Sequence, residues 1–79
     1  MSPGSKLRKL RLARNLSLRQ VVGESKKIAK KRKNARYLVS LTALSSLERD
    51  EVVPGIYRVH SLALIYDKSV SKLLSFFGI

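Results

Sequence analysis

Between Lys26 and Arg36 seven of eleven residues are basic (Lys26, Lys27, Lys30, Lys31, Arg32, Lys33 and Arg36), and no acid occurs between Glu24 and Glu48. Ammonium and guanidinium groups at that density suit phosphate. Each one that meets a phosphate releases condensed counterions, and a planar guanidinium holds two oxygens at once. A charge run of this kind otherwise stays a solvated, self-repelling face. Other chemistry finds little material. The chain has no Cys, one His and five acids, which removes thiolate nucleophiles, disulfides and Cys-ligated metals together. His60 has no acidic cluster around it in sequence and is expected to be structural. With no Ser-His-Asp ordering and no glycine-rich phosphate loop, no enzyme, cofactor, metal or small-molecule ligand is expected.

The charge is unevenly placed. The first 36 residues carry thirteen basic groups and one acid, and from Tyr37 onward there are four of each sign, so the whole formal charge of +12 lies in the first part. A basic half beside a neutral half predicts a polyanionic partner. Seventy-nine residues make one domain. Two Phe, three Tyr and no Trp leave the core to Leu, Val, Ile and Ala, the composition of a helical bundle. No run approaches the roughly 18 apolar residues that span a bilayer. Met1 to Arg14 has no apolar signal core either, so no membrane partner is expected and the protein is read as cytoplasmic and nucleoid-associated.

Phosphate-binding groups need a scaffold, and helical periodicity supplies it. Met1–Gly4 is polar and breaker-rich and is expected to be a disordered end. Ser5 is a candidate cap for a first helix over Lys6–Arg14, with Asn15 suited to the left-handed residue that ends it. Ser17 with Gln20 forms a capping-box pattern, and Leu16 is placed to pack on Val21. Leu18, Val21, Val22, Ser25, Ile28 and Ala29 then repeat at helical spacing, so a long amphipathic second helix runs to Lys31 or Lys33, with a turn near Asn34. Ser40 caps a short third helix through Leu41, Ala43, Leu44 and Leu47. Pro54 and Gly55 mark a loop. Ile56 to Asp67 reads as a fourth helix and Val70 to Phe77, capped by Ser69, as a fifth. Phe76, Phe77 and Ile79 end the chain on apolar residues, expected to complete the core, to form a dimer contact or to continue into a longer protein.

The stretch Leu7-Arg8-Lys9-Leu10-Arg11 through Asn15, Ser17 and Val21, followed by Val39-Ser40-Leu41-Thr42-Ala43-Leu44-Ser45-Ser46-Leu47-Glu48-Arg49, resembles the lambda repressor and Cro-like (XRE-type) helix-turn-helix family. The resemblance covers Ser5 to about Leu74. It departs from the family in the connection between the second and third helices, where residues 25–38 insert on the order of a dozen more than the usual short turn. It implies an all-α, compact five-helix domain over residues 5–79 and a sequence-specific regulator of transcription that binds double-stranded DNA. The family often acts as dimers, so a homodimer is also implied.

Carried over residue by residue, the resemblance puts Ser40, Leu41, Thr42, Ser45 and Ser46 of the third helix toward base edges, with Gln20 as an additional reader. That set has no Arg or Asn for bidentate contacts, so direct readout is expected to be modest. Ser17, Leu18 and Arg19 match the phosphate-facing start of the second helix, and Arg49 matches a backbone contact after the third. Lys26, Lys27, Lys30, Lys31, Arg32, Lys33 and Arg36 are expected to lie alongside as a clamp. Arg11 and Glu48 match a pair that the family buries between its first and third helices. Two other readings use the same charges: an RNA-binding module with little sequence preference, and a basic amphipathic helix for an anionic membrane or acidic protein.

Overall fold

The computed structural model describes residues 1–78, and Ile79 lies outside the described residues. Within them the chain is all-helical: α1 Pro3–Ala13, α2 Leu18–Arg32, a 3-10 turn Ala35–Tyr37, α3 Leu41–Glu48, α4 Ile56–Tyr66 and α5 Val70–Phe76. No helix among them is long and apolar enough to cross a membrane.

Most helix starts follow from side-chain oxygens. Ser17, Ser40 and Ser69 each accept a hydrogen bond from the backbone amide three residues on, and Gln20 returns the bond to the Ser17 amide at 2.7 Å. Such caps satisfy amides that have no partner inside the helix and contribute about 1 kcal/mol each. Four helix-terminating residues, Asn15, Lys33, Asp50 and Asp67, take the left-handed conformation without being Gly.

The first helix begins earlier than the Ser5 cap predicts, so Pro3 and Gly4 are folded and belong to α1. Ser2 is the cap, its Oγ accepting from the Ser5 amide at 3.1 Å, and Pro3 opens the helix. A proline there gives up an amide that would be unpaired anyway, which is why a Pro-Gly pair that reads as a breaker starts a helix instead. Gly4 is buried against the end of α3. A Cβ on it would lie 2.6 Å from the carbonyl oxygens of Leu47 and Glu48. Its amide donates to the Asp50 carboxylate at 2.8 Å.

The core draws on every α-helix: Leu7 from α1, Val21 from α2, Leu44 and Leu47 from α3, Val59, Leu62, Ala63 and Tyr66 from α4, and Leu73 from α5, with Val39 ahead of α3. Eight residues are too few for a helix to stand alone in water. Burial of Leu44 and Leu47, about 1.5–3 kcal/mol each, is what holds α3 in place. Phe76 and Phe77 pack half-buried against the same core.

Candidate nucleic-acid interface

The residues read as an insert between the second and third helices form no long loop. Most of them extend α2 to Arg32, and the 3-10 turn absorbs Ala35–Tyr37. Ser25 anchors this extension to the start of α3. Its buried hydroxyl accepts from the Val39 amide at 3.0 Å and donates to the Val22 carbonyl at 2.7 Å. Val39 is therefore fixed one residue before the Ser40 cap.

Leu44 and Leu47 turn one side of α3 inward, leaving an outer side without charge. Thr42 is exposed there, Ser45 and Ser46 are half-buried, and Leu41 in the first turn is 39% exposed. Ser40 accepts from the Ala43 amide at 3.1 Å and keeps its hydroxyl proton as a donor. Cations border this side along its α2-facing edge, near the start and near the end of α3. One groove, of about 360 Å³, sets Arg19 and Lys26 of α2 beside Ser40 and Leu41. Another, of about 220 Å³, sets Arg8 and Arg49 beside Leu18 and Ser45. Arg49 also meets Glu51 at 3.1 Å, an exposed contact that salt weakens.

The basic run does not lie on one face. At 3.6 residues per turn, Arg19, Lys26 and Lys30 fall within about 40° of each other and make a single stripe on α2, of which Arg19 and Lys26 line the groove beside α3. Lys27 and Lys31 lie roughly 100° away around α2. Lys27 meets Glu24 at 3.2 Å, and Lys31 and Arg32 line a separate groove against Leu64 and Ile65 of α4. Lys33 ends the helix and is exposed. Arg32 and Arg36 sit over aromatic rings instead, 5.1 Å from the ring centre of Tyr37 and 5.5 Å from that of Tyr57.

Gln20 is half committed to the capping box and keeps its side-chain NH2 as a donor. Its carbonyl oxygen is occupied by the Ser17 amide, and helical geometry turns it roughly 100° from the Arg19–Lys26 stripe. The same box consumes the Ser17 amide, so Leu18 and Arg19 carry the open amides at this helix start.

Arg11 and Glu48 meet as a two-toothed pair, with Nε to Oε2 at 2.8 Å and Nη2 to Oε1 at 2.9 Å, their side chains 9% and 7% exposed. Nη1 donates to the Leu16 carbonyl at 2.8 Å. The guanidinium thus ties α1, the turn before α2 and the end of α3 together. The hydrogen bond to Glu48 raises the Arg11 pKa against the opposing effect of burial. Tyr66 lies close enough to feel this pair. Its hydroxyl is buried with no hydrogen-bond partner among the described residues, and burial pushes its pKa up. Asp50 is held below its ordinary value by the Ser2 hydroxyl and, next, by the Gly4 amide.

Arg8, Arg58, Tyr37 and Tyr57 join these surfaces without having been singled out from the sequence as candidates. Arg8 was within reach of helical spacing, standing one turn before Arg11. The two tyrosines meet at 5.1 Å edge to face across twenty residues of chain, a contact that leaves no local signal. No protein-family model, curated protein or solved structure significantly matches this chain.

Proposed function

We propose that the chain is a DNA-binding regulator of the lambda repressor-like helix-turn-helix kind, laying α3 in the major groove of a duplex while the surrounding cations grip phosphates. One observation carries the reading: the uncharged outer side of α3 is bordered along its α2-facing edge by cations, Arg19 and Lys26 near its start and Arg8 and Arg49 near its end. Glu48, the acid that α3 itself carries, lines the groove with Arg8 and Arg49 but is neutralised by Arg11. An uncharged helix face with a basic margin running along it suits base edges beside a phosphate strand. Ser40, Thr42, Ser45 and Ser46 offer hydroxyls and Leu41 a methyl contact, so phosphate attraction exceeds base discrimination in this interface. Arg19, Lys26 and Lys30 supply one phosphate row, with the open amides of Leu18 and Arg19 at its head.

Fluorescence anisotropy with a labelled duplex, titrated over a range of salt and competed with structured RNA, tests the reading. Duplex is expected to win, and its affinity to fall linearly on a log–log plot by about 0.9 per phosphate engaged. Arg19→Gln should weaken duplex binding about tenfold, equivalent to ~1.4 kcal/mol. Preference for RNA, or affinity indifferent to salt, would refute it.

A further inference from the structure

The Tyr37–Tyr57 contact brings together three arginines that the α3 surface does not use. Arg32 lies over the Tyr37 ring and Arg36 over the Tyr57 ring, while Arg36, Arg58, Tyr57 and Gly55 line a groove of about 250 Å³ between the 3-10 turn and the first turn of α4. The platform is firmly held. The two rings meet edge to face, both residues are half-buried, and the Tyr37 carbonyl accepts a hydrogen bond from the buried Ser61 hydroxyl.

These guanidiniums lack counter-charges. Among the described residues the ion pairs are Arg11 with Glu48, Lys27 with Glu24 and Arg49 with Glu51, so no carboxylate serves Arg32, Arg36 or Arg58. Gathering like charges on and beside one aromatic pair is unfavourable until an anion arrives. A ring satisfies the face of a guanidinium and leaves its N–H edge free to donate. The chemistry that fits is a compact oxyanion with several oxygens.

We propose that this groove is a second phosphate-binding site, in which Arg36 and Arg58 hold phosphodiester oxygens and the Tyr57 ring, braced by Tyr37, holds Arg36 in position. Its place in the chain says where the phosphate comes from. The 3-10 turn leads directly into Leu38 and Ser40, which border the groove beside α3. A duplex lying along α3 that continues past the start of that helix reaches Arg36 and Arg58 next. The inference rests on the duplex reading above and widens its footprint.

Salt titrations of a labelled duplex with the full chain test it. Arg36→Gln with Arg58→Gln should lower the log–log salt slope by about 1.8, being two phosphates at about 0.9 each. Tyr57→Leu, which leaves the charge unchanged, should lower it by about 0.9, whereas Tyr57→Phe, which keeps a ring under Arg36, should not. Lys68→Gln with Lys72→Gln removes the same charge elsewhere and should leave the slope as it was. Thermal melting reports whether each variant folds, and if Tyr57→Leu does not, the arginine pair decides. An unchanged slope for the arginine pair, or an equal fall for the lysine pair, overturns this site and leaves the α3 reading standing. Salt-insensitive binding by the native chain overturns both.

Discussion

Arg11 and Arg36 are the same residue put to opposite uses at two junctions of the molecule. Where α1 meets α3, Arg11 is buried, doubly bonded to Glu48 and bonded again to the Leu16 carbonyl. Where the 3-10 turn meets α4, Arg36 is exposed, rests on a ring and has no carboxylate. A buried charge survives only if its whole hydrogen-bonding capacity is met inside the protein, whereas an exposed one is left to water or to an incoming ion. The first junction therefore fixes the geometry of α3, and the second stores attraction for something outside the chain. Keeping the two apart lets most of the positive charge stay uncompensated without loosening the fold.

The sharpest way to break that contrast is to make Arg11 resemble Arg36. Glu48→Gln keeps the shape of the side chain and removes its charge, leaving a buried guanidinium without its anion. The expected loss is about 3–5 kcal/mol in urea denaturation. Replacing both partners with apolar residues of similar volume should recover most of it, because the penalty lies in the unmatched charge rather than in the missing attraction. A loss below about 1 kcal/mol for Glu48→Gln would mean that water reaches Arg11 and that the two junctions differ little.

A smaller effect is expected from the backbone at the same junction. Gly4→Ala would put a methyl group 2.6 Å from the carbonyl oxygens of Leu47 and Glu48, against backbone that cannot swing aside as a side chain does. Crowding of this kind typically costs about 1–3 kcal/mol, read as a lowered melting temperature. Because the strain falls on the two residues that end α3, Gly4→Ala and Glu48→Gln should not add independently. Simple additivity would show that the Gly4 contact and the Arg11–Glu48 pair hold α1 to α3 independently of each other.

How far these junctions were legible in the sequence depends on how local their causes are. The caps at Ser17, Ser40 and Ser69 act over three residues, and each helix they predicted is present. The all-helical class followed from periodicity and composition. The start of α1 was missed partly because a Pro-Gly pair read as a breaker where Ser2 caps the helix and Pro3 opens it, and partly because Gly4 is held by the end of α3, some forty residues away in the chain. The basic run was legible as charge but not as a surface. Counting at 3.6 residues per turn separates Lys26 and Lys30 from Lys27 and Lys31, whereas the fate of Arg32 and Arg36 depends on rings, one of them brought in by α4. Arg11 and Glu48 were found through a family resemblance, since nothing local links residues thirty-seven apart.

The smallest expected effect is the most telling about the second junction. Arg36→Gln with Arg58→Gln should change stability by no more than about 0.5 kcal/mol, the range of ordinary surface substitutions. Two terms of opposite sign meet there. Loss of the stacking of Arg36 on Tyr57 is worth roughly 0.5–1 kcal/mol at an exposed site, while removal of two cations relieves repulsion among three. Raising the salt concentration screens that repulsion, so the native protein should gain stability as salt rises and the doubly substituted one should gain less. If instead the pair of substitutions unfolded the protein as Glu48→Gln is expected to do, Arg36 and Arg58 would be part of the scaffold, and no store of unpaired charge would be left for a phosphate to claim.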